Sequence, residues 1–422
     1  MLFRFAPRAA PRLRRARLGV FGYFAVSGLT MGCWAAGLPA LDERLSLGPG
    51  RLGNVLLLIA AGALVSMLFT GRACDRFTSR AITRFAGPVN ALALIAPVLA
   101  DSYGALAVAA FGYGLTLGAI EIAMNVNSIE VESSYGRPIV SAFHGLWSLG
   151  GAVGGGLTAL GNHLGADPQA LLVTVAVLSA GLFLYFGIML LPPPAAPAAV
   201  TPEGAARART GGLRWGVVIL LGVVAFSGYV SEGAAIDWAS VHARRVLDAD
   251  LAVAPIAYTV FGAAMTIVRL LGDPIRGRLG SAKTLALAGA MAAAGYTLVL
   301  VSPWAGGAAV AVACLGWLLT GSGLATVVPV VFSAVGANGG SVGKALSTVT
   351  AFGSAGLLIG PGVIGQLAEA TSLPTALMVP AGLAVVVAVF GPPAIRALTG
   401  GRSDAIRPGA TTPDKPVGEP VA

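Results

Sequence analysis

Glu121-Ile122-Ala123-Met124-Asn125 places a carboxylate and a carboxamide four residues apart in an otherwise apolar stretch. On a helix that spacing puts both side chains on one face. A charge inside a bilayer costs roughly 2.5–3.5 kcal/mol on insertion scales, so an ionisable group kept there is a first candidate for function. A carboxylate facing a water-filled cavity can take a proton from one side and release it to the other. The plainer alternative is a hydrogen bond between helices. His144 falls a few residues into the next apolar stretch, and histidine titrates nearest neutrality of all side chains. Its alternative is a hydrogen-bonded packing residue.

Glu232 and Asp237 come at the far end of a later apolar stretch. Five residues apart, they do not stack as an i, i+4 pair does. Glu232 is the deeper and is expected to line a cavity, whereas Asp237 caps the helix or sits among headgroups beside Trp238. Arg269 and Asp273 are one turn apart and neutralise each other most simply as a structural ion pair. Trp34 can stack on a sugar ring or belong to an interfacial aromatic belt. The segment Gly71-Arg72-Ala73-Cys74-Asp75-Arg76-Phe77-Thr78-Ser79-Arg80 is a short charged loop wedged between two apolar stretches.

The composition decides what holds these residues. The chain is 56% hydrophobic and 11% charged, with a mean hydropathy of +0.82, whereas a soluble domain carries about 25% charged residues. It is therefore an integral membrane protein. Its apolar runs are long and continuous, which means helices of about 20 residues rather than the alternating strands of a barrel. Twelve such runs are read at 18–41, 52–71, 81–100, 104–127, 139–161, 169–191, 215–236, 252–271, 282–302, 306–334, 346–368 and 373–395. Asp101, Ser102 and Tyr103 make the thinnest break between them. The expected fold is all-α, with about twelve transmembrane helices in two six-helix halves.

Arginine and lysine in the loops set the orientation. With alternating spans, one side collects Arg4, Arg8, Arg12, Arg14, Arg15 and Arg17, then Arg72, Arg76, Arg80 and Arg84. It also collects Arg137, Arg207, Arg209, Arg214, Arg276, Arg278, Lys283, Lys344, Arg396, Arg402, Arg407 and Lys415. The other side has only Arg44, Arg51, Arg244 and Arg245. Both termini are thus expected in the cytoplasm, and the net charge of +9 reflects topology rather than nucleic-acid binding. The basic start is not a signal peptide, because the apolar run after it is too long.

The expected parts are a basic cytoplasmic tail over 1–17, one six-helix half over 18–191, and a Pro-rich cytoplasmic linker over 192–214. A second half over 215–397 and a disordered cytoplasmic tail over 398–422 follow. Glycines four apart recur at Gly150/Gly154 in the fifth run and Gly356/Gly360 in the eleventh. That spacing lets helices touch backbone to backbone, and its return six helices later marks a repeat.

With these features the chain resembles the major facilitator superfamily. The second-to-third loop matches the superfamily motif at Gly71, Asp75, Arg76 and Arg80. It departs at Thr78, usually glycine, and at Ser79, usually basic. Glu121-x-x-x-Asn125 in the fourth helix is similar to the fucose-permease branch of sugar–proton symporters. Phe143-His144-Gly145-Leu146-Trp147-Ser148-Leu149-Gly150 and Glu232-Gly233-Ala234-Ala235-Ile236-Asp237-Trp238 resemble an uncharacterised bacterial inner-membrane subgroup near that branch. The resemblance implies that Asp75 and Arg76 gate the cytoplasmic face rather than bind solute. The plainer reading is a charged loop that fixes topology.

The function expected is secondary active transport of a small polar, sugar-like solute, coupled to protons, by a monomer in the inner membrane. Glu121, Asn125, His144, Glu232 and Trp34 are the expected binding residues. No cofactor, metal or nucleic acid is expected. A rival of the same class is a proton-driven efflux carrier for a drug or natural product. Two departures weaken it: no arginine lies between Ala105 and Asn127, and the Gly360-Pro361 pair sits in the eleventh run rather than the fifth. A receptor or membrane-embedded enzyme is the rival of another class. There is no Gly-x-x-x-x-Gly-Lys-[Ser/Thr] loop for ATP. Of three histidines, His163 and His242 are expected in outer loops, away from His144. Cys33, Cys74 and Cys314 lack metal or disulfide spacing.

Overall fold

Apolar runs in lipid leave the backbone one local way to pair its own amides, the helix. The computed structural model describes residues 11–135, 139–191, 215–336 and 342–400, and apart from turns these residues form helices. The first half contains α1 (Pro11–Leu45), α2 (Gly48–Phe77), α3 (Ser79–Ala93), its continuation α4 (Ile95–Leu99), α5 (Tyr103–Tyr135), α6 (Val140–His163) and α7 (Pro168–Gly187). The second contains α8 (Trp215–Leu247), α9 (Ala254–Leu279), α10 (Ser281–Val301), α11 (Ala309–Leu324), its continuation α12 (Val327–Gly336), α13 (Val342–Ala370) and α14 (Leu373–Thr399). Ten stretches are long and apolar enough to cross a membrane. One of them, Ser281–Val335, doubles back at a 3₁₀ segment, Ser302–Ala308, where Gly306 has φ +55°. With α6 as a further crossing, the described residues make twelve passes. Both described ends of the chain therefore lie on one face, here the proximal face; the opposite one is distal.

Several helices outrun their apolar cores. α1 begins at Pro11 and takes in Arg12, Arg14, Arg15 and Arg17, residues expected in a tail. The largest difference is α8, which continues from the expected end at 236 to Leu247. The linker expected over 192–214 and the tail beyond Gly400 lie outside the described residues.

Glycine sets the closest contacts. A Cβ on Gly28 of α1 would lie 2.0 Å from the Trp147 carbonyl oxygen of α6, and one on Gly150 would lie 2.1 Å from that of Ala25. No side chain fits there, so the two backbones touch. The equivalent contact in the second half joins α13 to α8, where a Cβ on Gly356 would lie 2.7 Å from the Phe226 oxygen. The repeat extends to the proximal turns. Thr78 between α2 and α3 has φ 78°, ψ 144°, and Gly280 between α9 and α10 has φ 77°, ψ 157°. Both occupy a left-handed conformation that favours glycine, which explains why a glycine is usual where this chain has Thr78.

The halves meet through α2 against α13 and α6 against α9. A Cβ on Gly53 would lie 2.8 Å from the Gly365 Cα, and one on Gly155 would lie 2.5 Å from the Thr259 hydroxyl. Large apolar side chains such as Leu68, Phe69, Val108, Leu178 and Leu184 are exposed, as lipid-facing residues of a membrane bundle are.

Candidate functional site

Arg269 of α9 joins the two halves near the middle of the bundle. One guanidinium nitrogen donates to Glu232 Oε1 of α8 at 2.8 Å, and another donates to Ser148 Oγ of α6 at 2.7 Å. The pair is well enclosed, with side-chain exposures of 17% and 8%, so water compensates little if it breaks. Ser148 in turn donates to the His144 backbone oxygen at 3.3 Å. Arg269 thus has a partner on another helix, 37 residues away; the expected partner Asp273 has its side chain outside the described residues. Glu232 is buried, but as the counter-ion of a guanidinium rather than as a free cavity carboxylate.

Glu121 lies midway along α5 and is half-buried. Among the described residues it makes no ion pair. Asn125 donates to the Glu121 backbone oxygen at 2.8 Å. The two share a helix face as expected, but the amide bonds the main chain and leaves the carboxylate free of it. Tyr229 of α8 is within electrostatic reach of Glu121, Glu232 and Arg269 together. It links the free carboxylate of the first half to the ion pair of the second. His144 is exposed, sits edge-on to Phe24 of α1 with ring centroids 5.1 Å apart, and feels the charge of Arg269. The structure therefore gathers Glu121, His144, Glu232 and Arg269 around Ser148 and Tyr229.

Trp34 is not part of this group of contacts. It is 2% exposed and packs against Tyr113 at 6.1 Å between ring centroids. It opens on a distal cavity of about 350 Å³, together with Glu43, Arg44, Asp167 and Gln169. Nor are Asp237, Trp238 and His242 where the sequence suggested. All three are buried within α8 rather than in headgroups or an outer loop. His242 stands edge-on to Trp317 of α11, with centroids 6.2 Å apart. A polar face turned to protein rather than lipid ends a hydropathy window without ending the helix.

Two sets of contacts fasten the distal face. Arg245 binds Asp42 in two-pronged fashion, with one bond of 2.8 Å, and Arg244 pairs with Glu43. These join α8 to α1. Glu369 of α13 accepts from the Gly50 amide of α2 at 3.1 Å, and Gln366 donates to Asn54 at 2.9 Å. The proximal loop is different. Asp75 and Arg76 are exposed, and among the described residues Asp75 makes no ion pair. The Arg76 guanidinium lies 5.3 Å from the Phe77 ring centroid. Among the described residues, nothing stands within 4 Å of the place a Cβ on Gly71 would occupy. Arg80 Nε is buried and has no hydrogen-bond partner among the described residues. The loop is stitched to its own half, because Ser79 donates to Glu130 of α5 at 2.6 Å and accepts from Asn127 at 3.1 Å.

Fold and site together define a membrane carrier made of two repeated helical halves with charged contacts between them. The family model described as Major Facilitator Superfamily matches residues 20–341, and the chain belongs to that superfamily. An uncharacterised MFS-type transporter of Yersinia pestis is 34% identical over 359 residues, covering 84% of this chain and 89% of the relative. Among solved structures, a mutant form of the nucleoside transporter NupG has a TM-score of 0.71 at 15% identity, covering 91% of this chain and 99% of that one. The D-xylose-proton symporter has a TM-score of 0.69 at 15% identity, covering 89% and 97%. These two share the fold. The chain is a transporter, not an enzyme.

Proposed function

We propose that the chain is a proton-coupled carrier of a small polar, sugar-like solute, working by alternating access as a monomer in the bacterial inner membrane with both termini in the cytoplasm. The observation that carries it is Glu121: a half-buried carboxylate that makes no ion pair among the described residues, in electrostatic reach of a tyrosine shared with the Glu232–Arg269 pair. When Glu121 is ionised, the group of Glu121, Glu232 and Arg269 holds one negative charge in excess. A proton on Glu121 makes it neutral, which suits an uncharged solute. His144, Ser148 and Asn125 supply polar contacts beside it, and Trp34 stands on the distal approach. The distal ties and the exposed Asp75 fit a state closed to the distal side. On this reading Gly71, Asp75, Arg76 and Arg80 act on the opening and closing of the proximal side. Fold neighbours that include a nucleoside transporter and a sugar–proton symporter support this solute class.

The test is uptake in right-side-out and inside-out vesicles with an imposed pH gradient, against a panel of labelled sugars, sugar alcohols and nucleosides. Glu121→Gln keeps shape and hydrogen bonding but cannot ionise. It should abolish accumulation against a gradient while preserving solute exchange, and solute binding should lose its pH dependence. Accumulation by Glu121→Gln equal to that of the wild type would refute the assignment.

A further inference from the structure

Asp237 is enclosed in α8, five residues and about 7.5 Å of helix rise to the distal side of Glu232. It is 6% exposed. Its Oδ1 is buried without a hydrogen-bond partner, and among the described residues it makes no ion pair. Glu232 on the same helix has Arg269; among the described residues Asp237 has no such cation. The titratable and charged groups on the elements packed against α8 are few. Tyr258 of α9 lies in electrostatic reach of Asp237, of Glu232 and of Cys33 of α1. Tyr296 of α10 donates to the Ser231 oxygen at 2.6 Å. Asp42 and Glu43 of α1 are held by Arg245 and Arg244. Glu369 of α13 also acts on Arg245, further along α8. From α11 and α14 uncharged groups meet α8: Trp317 beside His242, and the Pro380 oxygen accepting from Ser231.

A bare carboxylate in such a place forfeits its hydration and gains no counter-ion, whereas a carboxyl group carrying a proton forfeits far less. The surroundings change if the distal ties release. Arg244 and Arg245 sit seven and eight residues beyond Asp237 on the same helix, so parting α8 from α1 opens the segment between them to distal water.

We propose that Asp237 is a proton-binding site linked to closure of the distal face. On closing, Asp237 takes a proton from distal water onto its carboxylate. On opening, it returns that proton to the same water. The site is separate from Glu121, which belongs to the other half, and it does not depend on Glu121 carrying the coupled proton.

The test needs no transported solute. Infrared spectra of the purified full-length protein in lipid nanodiscs at neutral pH should contain the carbonyl stretch of a protonated carboxyl group. Asp237→Glu should shift that band, Asp237→Asn should remove it, and Glu121→Gln should leave it in place. Access is read from the rate at which the band shifts in D₂O. A Cβ on Gly50 would lie 3.1 Å from the Glu369 Cβ, close to disulfide reach. Gly50→Cys with Glu369→Cys, with Cys33, Cys74 and Cys314 replaced by Ala, can therefore lock the distal face. Locking should slow the shift at least about tenfold, and reduction should restore it. The proposal is overturned if no band is assigned to Asp237, or if the shift is equally fast in locked and reduced protein. Should Asp237→Asn fail to fold, the wild type and Asp237→Glu still decide the assignment. Loss of coupling in the vesicle assay concerns Glu121 alone, so failure of that reading is recognised separately.

Discussion

Glu232→Gln and Arg269→Gln test whether the central pair is a true energetic unit. With Arg269 removed, Glu232 is left as a carboxylate only 8% exposed, facing Tyr229 rather than a cation. Breaking a buried pair in this way costs about 3–5 kcal/mol. Removing Glu232 is the milder change. Glutamine keeps an acceptor for the 2.8 Å bond, and Arg269 is 17% exposed and keeps Ser148. A charge-assisted hydrogen bond retained there is worth about 1.5–3 kcal/mol, so the expected loss is about 2 kcal/mol. In the double variant no uncompensated charge remains, and two carboxamides replace the pair. It should lose no more than Arg269→Gln alone. Denaturation of the four purified proteins in one detergent, followed by tryptophan fluorescence, yields the cycle. A coupling of about 2 kcal/mol or more is expected, against the roughly 0.3–0.5 kcal/mol within which independent sites add. Additive losses would refute the pairing as the reason Arg269 is tolerated inside the bundle.

Asp75→Asn should slow solute turnover with binding affinity kept within about twofold, because the residue is exposed on the proximal face; a tenfold affinity loss with unchanged turnover in vesicle kinetics would exclude a gating role. Thr78→Gly should raise stability by about 1 kcal/mol in thermal unfolding. It releases about 1–3 kcal/mol of left-handed strain, less about 0.5–1 for the freer glycine chain and a few tenths for the lost cap to the Ala81 amide; a lower melting temperature would count against strain at Thr78. Reporter fusions ahead of Met1 and after Ala397 should both report cytoplasm, and a periplasmic signal from either would break the assigned orientation.

The helices, their pairing into halves and the shared face of Glu121 and Asn125 are legible in the sequence because each depends on local spacing. Partners on different helices are not. Spacing points Arg269 to Asp273 at i+4, whereas its bond to Glu232 of α8 depends on the packing of two helices, which local spacing does not carry. Hydropathy misjudges Asp237 and His242 for a related reason. A window measures how polar a stretch is, not whether its polar face meets water or protein, so hydropathy ends α8 at 236 whereas the helix runs to Leu247. The distal ties had a signal that topology counting obscured. Asp42-Glu43 and Arg244-Arg245 stand near the ends of the first helices of the two halves, and their opposite charges are complementary. Counted as loop residues, the arginines speak only of orientation; set at equivalent places of a repeat, they point at each other.

If the halves rock as proposed, the arrangement decides which contacts must break. Arg269 and Glu232 both belong to the second half, so their bond can persist through the cycle, while the Arg269–Ser148 bond to α6 reports on the two halves parting. Arg245–Asp42, Arg244–Glu43 and the Glu369–Gly50 contact all cross between halves and all lie at the distal face. Three of the four side chains in the two ion pairs are about a third exposed, only Asp42 being buried. Arg244–Glu43, exposed on both sides, is a pair of the kind that contributes only about 0–1 kcal/mol, whereas the two-pronged Arg245–Asp42 pair rests on a buried carboxylate and holds more firmly. A carrier has to cross between its states many times, and ligands shift such an equilibrium only when its states differ by a few kcal/mol. The enclosed Glu232–Arg269 pair lies within one half, and the contacts between the halves at the distal face include the half-exposed Arg244–Glu43 pair. On the proposed alternating-access cycle the candidate site would keep its shape while the distal contacts part.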